Sequence, residues 1–163
     1  FMISSIFKSL CHTIKTRGLR ITILATSRLA ALFCGQFAFG NDHVVRRIYD
    51  YQLYLDAKDP GISRTLILFR QRELDHKWIM ENCLGSGDSV LDIGANIGYY
   101  VAMEAHLIGR QGKIYAYEPS ITNFQLLLKN LKLNKITEQV EAEMPLFLIK
   151  LVFNAFFYHR CRT

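Results

Sequence analysis

The sequence predicts an α/β fold with an open parallel sheet flanked by helices, and three observations support this prediction. A short apolar strand, residues 89–93, runs into a turn that contains Gly94 and Gly98. An apolar helix over about residues 99–108 follows, and a second strand occupies 113–117. A strand, a glycine turn, a helix and a second strand in this order form the first half of a nucleotide- or nucleoside-binding sheet with right-handed crossovers.

Length and composition allow one domain with a real core, because the chain has 163 residues and half of them are apolar. The formal net charge is +6, but it is unevenly distributed. Residues 1–41 contain five cations and no acid, whereas residues 42–143 contain twelve cations and fourteen acids. A protein that binds phosphates usually carries Lys and Arg on one face of its folded domain. The mildly acidic sheet region therefore predicts that nucleic acid is not a partner.

The four cysteines form no CxxC pair and lie near no histidine at metal-ligand spacing. We therefore expect no metal site. Cys83 falls at an apolar helical position, which predicts a buried, reduced thiol. This usage favours a reducing, cytoplasmic compartment.

The first 45 residues are basic and apolar and are predicted to form a helical lead-in. Residues 21–39 approach the length of a membrane span, but Arg28 lies near their middle. A central arginine costs roughly 2.5–3.5 kcal/mol on insertion. We expect an amphipathic helix rather than a spanning segment or a cleaved signal peptide. Peripheral attachment of this segment to an anionic membrane surface stays open as an alternative.

The connecting region contains further elements before the glycine turn. Apolar and polar residues alternate from Arg47 to Asp56, which predicts a strand or hairpin arm. Ser63 is expected to cap a short helix through Leu68. A helix over 73–84 is expected to place Trp78 in the core.

Beyond the second strand, a helix is predicted from 119–120 to 134–135, and a third strand from 138 to 144. The pattern changes at Pro145. Residues 145–158 are almost continuously apolar and show no clear helical or strand period. We interpret 145–163 as an aberrant apolar tail.

The glycine turn has the residue types of a ligand site. Asp92 is expected to point its carboxylate into the crevice at the carboxyl edge of the sheet, and Gly94 and Gly98 let the backbone turn and approach a ligand. Asn96 tolerates an unusual backbone conformation and offers a donor and an acceptor. Glu118 is placed to accept hydrogen bonds from both hydroxyls of a ribose.

The acid before the first glycine argues against a dinucleotide. A pyrophosphate near Asp92 would meet a negative charge. A cofactor with a cationic amino-acid end and no phosphate fits better, and S-adenosylmethionine is such a cofactor.

At this point the sequence resembles the FkbM-type class I methyltransferases. The similarity covers about residues 46–136 and combines "DIGANIGYY" with "YEP" some twenty residues later. The matching stretches are 87–100, 109–119, Asn123, 126–134 and 54–63.

The resemblance implies a Rossmann-like methyltransferase fold and methyl transfer from S-adenosylmethionine, typically to a hydroxyl of a sugar or another small molecule. Asp92, Gly94, Asn96 and Gly98 would line the methionine end, Glu118 the ribose, and Glu73 would lie near the pocket. The whole implied cofactor-binding set is Glu73, Asp92, Gly94, Ala95, Asn96, Gly98 and Glu118.

The C-terminal part departs from that family. The adenine-contacting acid and the later strands of the family have no counterpart in residues 145–163. We therefore expect an incomplete domain over 46–144, and no residue is named as the catalytic base. Two alternatives stay open at this stage, a non-catalytic methyltransferase fragment and a dinucleotide-binding oxidoreductase. The oligomeric state is not predicted.

Overall fold

The structure is a computed structural model that describes residues 12–39 and 42–145. Within this part, the chain forms two compact units. The first runs to Tyr49 and resumes over Leu55–Arg72, and the second contains Asp50–Tyr54 and the residues from Glu73 onward. Most of the predicted tail, residues 146–163, and the first eleven residues of the predicted lead-in lie outside the described residues.

Helices dominate the first unit. Residues 12–17 are helical, and Gly18, at φ 84°, separates them from helix α1, Leu19–Phe39. Strand β1, His43–Ile48, follows, and helix α2, Ile62–Phe69, completes the unit. Of the predicted helical lead-in, residues 1–45, the described residues 12–17 and 19–39 are helical, whereas its last residues belong to β1, which begins at His43. A membrane-spanning helix is not found among the described residues.

Arg28, which interrupts the apolar run of α1, has a structural partner in the same unit. Its guanidinium donates a hydrogen bond of 2.6 Å to the carbonyl of Leu68, in the last turn of α2. Carbonyls at the end of a helix have no partner within the helix, and a cation is well suited to bind them. Arg17 lies 4.1 Å from the centroid of the Phe69 ring at the same end.

Two sequence predictions for this region need correction. The alternating run 47–56 is divided by a turn, because Tyr49 takes φ 53°, so that β1 ends at Ile48 and β2, Tyr51–Asp56, begins after it. Strands β1 and β2 form a two-stranded sheet. Ser63 does not cap α2: Gly61 holds the cap position, and the buried Ser63 hydroxyl accepts from the amide of Asp56 at 3.3 Å.

The second unit contains the predicted glycine-turn fold. Its elements in chain order are α3 (Leu74–Cys83), β3 (Ser89–Ile93), α4 (Tyr99–Ile108), β4 (Lys113–Tyr117), α5 (Ile121–Asn134) and β5 (Val140–Glu143). The strands β3 and β4 and the helix α4 have the predicted bounds. Helix α5 begins after Ser120, whose side chain accepts from the amide of Asn123 as an N-cap. Strand β5 is shorter than predicted.

The three strands pair in parallel in the order β3-β4-β5, with Asp92 opposite Ala116 and Ala116 opposite Ala142. Because side chains alternate across a strand, the sheet has two distinct faces. One face packs against α4 and α5 in a core that includes Ala95, Val101, Ala105, Ile108, Ile114, Ala116, Leu127, Leu131 and Val140. The other face exposes Leu91 and Ile93, at 61% and 78%. The predicted parallel α/β architecture is therefore present.

Helix α3 differs from its prediction. Trp78 is 65% exposed and Cys83 is also exposed, so the expectations of a core tryptophan and a buried thiol are wrong. The spacing of apolar residues is helical, as predicted, but periodicity does not establish that another element covers that face.

Candidate functional site

The glycine turn joins β3 to α4 and takes a tight left-handed path. Gly94, Asn96 and Gly98 have φ values of 88°, 51° and 84°. The amides of Gly94 and Ala95 both donate to the carbonyl of Tyr117, at 2.8 and 3.0 Å. These bonds fix the turn to the end of the neighbouring strand β4. They leave the later amides to other partners.

The two glycines have different reasons to lack a side chain. A Cβ at Gly98 would lie 2.7 Å from Cδ1 of the buried Leu127, so Gly98 permits the close approach of α5. A Cβ at Gly94 would meet nothing within 4 Å. Gly94 therefore borders open space, where a ligand could approach the backbone.

Glu118 lies directly after β4 and is 4% exposed. Its Oε2 accepts from the amide of Asn96 and its Oε1 from the amide of Ser120, each at 2.8 Å. The carboxylate thus links the glycine turn to the start of α5. Each carboxylate oxygen has a second lone pair, so the predicted bonds to ribose hydroxyls are compatible with this arrangement.

Asn96 combines an unusual backbone with a local hydrogen bond. Its side-chain oxygen accepts from the amide of Ile97 at 2.8 Å. The carbonyl of Ile97 in turn accepts from the side chain of Asn130 at 2.7 Å. Asn130 is 1% exposed, and its oxygen also accepts from the amide of Tyr54 at 2.6 Å. Asn130 was not identified from the sequence, and it supports the glycine turn through its hydrogen bond to Ile97.

Asp92 and Glu104 are acids on elements that pack against each other, β3 and α4. Burial, and secondarily the charge of Glu118, raises the pKa of Asp92. Burial, and secondarily the charge of Asp92, raises the pKa of Glu104 to about 8. Asp92 Oδ2 and Glu104 Oε2 are buried and have no hydrogen-bond partner among the described residues. Asp92 thus faces α4 as well as the strand end, whereas the sequence predicted only a position in an open crevice.

A cavity of about 240 Å³ lies beside these acids. Its lining residues are His76, Ile79, Met80, Asp92, Tyr100 and Glu104. Tyr100 donates its hydroxyl proton to the carboxylate of Glu73 and lies 3.0 Å from Nδ1 of His76. Glu73 is therefore tied to a residue that lines the cavity. No group of three His, Cys, Asp or Glu side chains in the described ranges is placed to hold a metal ion.

The predicted cofactor-binding set contains Asp92 but not His76, Tyr100 or Glu104, which also line the cavity. A signal existed for Glu104, because it is the one acid in the otherwise apolar run of α4 from Tyr99 to Ala105. An acid that points into a core needs either a partner or a ligand. No comparable signal marks His76, whose placement depends on how α3 packs.

A second concave region lies at the opposite ends of the strands. It is a groove of about 870 Å³, and its lining includes Arg110, Lys113, Lys132 and Lys135 together with one acid, Glu138. Arg110 precedes β4, Lys113 begins it, and the other two lysines lie at the end of α5. The fold thus brings four cations from two stretches of the chain, 110–113 and 132–135, to one surface.

A family model for the TRM5/TYW2 methyltransferase domain matches residues 58–145. Among solved structures, M. jannaschii TYW2 in complex with AdoMet is 23% identical and has a TM-score of 0.52. The match covers 64% of this chain and 43% of the TYW2 chain. P. horikoshii TYW2 in complex with MeSAdo is 19% identical, covers 72% and 46%, and has a TM-score of 0.51. The M. jannaschii tRNA m1G37 methyltransferase is 23% identical, covers 64% and 30%, and has a TM-score of 0.50. No curated protein matches the chain.

These findings overturn the resemblance to the FkbM type. Asp92, the glycines and Glu118 were predicted to serve the cofactor rather than the methyl acceptor. A resemblance that rests on residues with this predicted role does not discriminate between methyltransferase families with different acceptors. The oxidoreductase alternative is set aside by the same family match.

The exclusion of nucleic acid as a partner is also wrong, because one of the structures of this type is a tRNA methyltransferase. The acceptor predicted from the resemblance, a sugar or other small-molecule hydroxyl, is not supported. The slight excess of acids over cations in residues 42–143 misled the prediction, since such a sum averages over residues that lie far apart on the surface. Local clustering of cations, as in the groove beside Lys113 and Lys132, is decided by the fold.

The predicted Rossmann-like methyltransferase fold is confirmed by the solved structures, and the predicted enzyme class by the family. The predicted cofactor is confirmed for this type of protein, since a structure contains AdoMet. The chain spans less than half the length of the three proteins. Because the family model matches more than half of its residues, the chain belongs to the TRM5/TYW2 methyltransferase domain family.

Proposed function

We propose that this chain supplies the cofactor-binding part of an S-adenosylmethionine-dependent methyltransferase that acts on tRNA. The observation that carries the proposal is the family match over 58–145, which contains the glycine turn and Glu118. In this proposal the methyltransferase domain keeps its predicted extent in this chain, residues 46–144. The cofactor-binding residues are Glu73, Asp92, Gly94, Ala95, Asn96, Gly98 and Glu118.

When bound, the cofactor would supply a methyl group that is carried on a sulfonium sulfur. Transfer of this methyl group to an acceptor atom of the nucleic acid would leave the sulfur as a thioether. The chain's own residues would bind and orient. Gly94 would let the amino-acid end approach the backbone, because a side chain there would occupy the open space. Glu118 would hold the ribose hydroxyls while it keeps the turn in place through Asn96 and Ser120.

The basic groove supports the nucleic-acid part of the proposal. Lys113, Lys132, Lys135 and Arg110 surround it, and only Glu138 adds an acid to the lining. Cations grouped in this way attract a phosphate backbone and release counterions when they bind it. We assign the groove to phosphates of the tRNA and assign no base-specific contact to it.

The cofactor part is tested by calorimetry with S-adenosylmethionine and the 163-residue chain. We expect binding that Glu118→Gln weakens about tenfold, because the ribose would lose a charged acceptor. Glu141→Gln changes an exposed acid on β5 and serves as the matched control, which should leave binding unchanged. Binding of NAD in place of S-adenosylmethionine would contradict the proposal.

The tRNA part is tested by filter binding of a tRNA transcript at several salt concentrations. Lys132→Glu combined with Lys135→Glu should weaken binding and lower the slope of log K against log salt by roughly one for each phosphate that the variant no longer neutralises. Lys129 lies on the same helix but outside the lining of the groove. The salt dependence of tRNA binding by Lys129→Glu should therefore stay close to that of the unmodified chain. Equal losses of affinity in the two variants would refute a specific role of the groove.

A further inference from the structure

The first compact unit carries an excess of positive charge. It contains eleven Lys and Arg residues but only three acids, Asp42, Asp56 and Asp59. Asp42 forms an ion pair with Lys58, and Asp56 accepts from the amide of Lys58 at 2.8 Å. Asp59 accepts from the amide of Ser63 at 2.9 Å. The negative charge of this unit is thus concentrated at the beginning of α2.

Three arginines lie at the opposite end of α2. Arg28 donates to the carbonyl of Leu68 at 2.6 Å, and Arg70 directly follows α2 as its C-cap residue. Arg46 lies on β1, which contacts α2. Arg28 and Arg46 are half-buried, whereas Arg70 is exposed. The fold of the first unit thus groups guanidinium groups from α1, from β1 and from the end of α2.

These three guanidinium groups repel one another. Burial, and secondarily the charge of Arg70, lowers the pKa of Arg28. Burial, followed by the charges of Arg70 and Arg28, lowers the pKa of Arg46. None of the three forms an ion pair with an acid in the part of the chain that the structure describes. One cation is enough to bind the carbonyls at the end of a helix, so α2 does not account for the other two.

A phosphate group has the chemistry that this cluster lacks. Each guanidinium presents a planar fork of N–H donors that matches two phosphate oxygens, and an anion between like charges relieves their repulsion. Arg28 uses a donor on Leu68 and Arg46 uses one on Val45, so both retain further donors. Half-buried donors suit a single phosphate that enters the cluster better than a flat lipid surface.

We propose that Arg28, Arg46 and Arg70 form a second phosphate-binding site, which takes a backbone phosphate of the tRNA. The inference rests on the proposed function and adds to it a contact made by the first unit. Arg28 and Arg46 precede the residues 58–145 that the family model matches, so the family does not account for this site.

The test is filter binding of a tRNA transcript to the full chain at several salt concentrations. Arg46→Gln combined with Arg70→Gln should weaken binding about tenfold, because charge-assisted hydrogen bonds to the phosphate are lost. The slope of log K against log salt should fall by roughly one, since one phosphate is no longer neutralised.

The matched control is Arg47→Gln combined with Arg64→Gln. It removes the same charge from the same strand and the same helix, but Arg47 is the exposed neighbour of Arg46, and Arg64 lies in the first turn of α2. The affinity of this variant for tRNA should change less than about threefold, and its slope should stay close to that of the unmodified chain.

Thermal unfolding gives a readout that a purely structural role would not produce. Because the three guanidinium groups repel one another, Arg70→Gln should raise the Tm at low salt by about 1–3 °C. Inorganic phosphate, compared with chloride at equal ionic strength, should raise the Tm of the unmodified chain more than that of Arg46→Gln with Arg70→Gln. A fall in Tm in Arg70→Gln would contradict the repulsion on which the site depends.

The outcomes separate this site from the proposed function. Equal losses of tRNA affinity in the two double variants would overturn the site and leave the proposed function standing. The site would also be overturned if Arg46→Gln with Arg70→Gln kept its affinity for tRNA but no longer bound vesicles of phosphatidylcholine and phosphatidylserine, since the phosphate would then belong to a lipid headgroup. If the unmodified chain binds no tRNA, the tRNA part of the proposed function fails, and the site fails with it.

Discussion

At the carboxyl ends of the parallel strands the second unit buries acids, whereas at their amino ends it exposes cations. Asp92, Glu104 and Glu118 are buried or half-buried around the glycine turn. Lys113, Lys132 and their neighbours line an open groove. The protonation state of a buried acid depends on each neighbouring group and on pH, whereas an exposed cation is solvated and tolerates substitution. One end of the sheet can therefore bind a ligand by precise contacts, and the other end can bind a ligand by charge alone.

The largest expected effect is on the acidic end and concerns pH. Glu104 has an ordinary pKa of 4.5, which burial and the charge of Asp92 raise to about 8 in the folded state. The folded state therefore binds this proton more tightly than the unfolded state. The free energy of unfolding should fall as pH rises from 4.5 to about 8, by at most about 1.4 kcal/mol per pH unit, and level off above that range.

Glu104→Gln should flatten this dependence, because the amide does not titrate. The measurement is urea unfolding at a series of pH values for both chains. Asp92 also lines the cavity, and its pKa is raised as well, so the variant retains the dependence that Asp92 causes. If the unmodified chain becomes more stable between about pH 5 and pH 8, Glu104 is not the dominant group at this end.

The next largest effect separates the two glycines of the turn. Gly98→Ala adds a methyl group against Leu127 at a φ of 84°, and should cost about 2–4 kcal/mol of unfolding free energy. Gly94→Ala has a similar backbone strain but meets nothing within 4 Å, and should cost only about 1–2 kcal/mol. Urea unfolding checks both variants. Equal costs would show that strain alone, and not the approach of α5, requires Gly98.

The smallest effect belongs to the basic end. Lys132→Glu with Lys135→Glu should change the free energy of unfolding by less than about 0.5 kcal/mol, because both side chains are solvated. Chemical unfolding at the same pH as the other variants gives the value. A loss of unfolding free energy as large as that of Gly98→Ala would contradict this difference between the two ends, since the groove would then be part of the stabilising structure.

The strand and helix pattern of the second unit could be predicted from the sequence because its signals are local. The residues 89–93 and 113–117 are short apolar strands, and the helix between them starts at a glycine turn. Ser120 caps α5, as serine commonly does at the N-terminus of a helix. Where local patterns were ambiguous, as in the run 47–56 with its turn at Tyr49, the predicted element was too long.

The glycine turn was recognised by sequence alone, and with it the methyl donor, because a tight backbone path and two acids leave a pattern in adjacent residues. Only the tertiary structure decided which groups join that turn. Glu104 enters from a helix, Asn130 supports Ile97 from the next helix, and the cations of the groove come from two separate stretches of the chain. These placements depend on packing between residues distant in sequence, which neither periodicity nor net charge encodes. For that reason the cofactor could be inferred from the sequence, while the nucleic-acid acceptor was wrongly excluded.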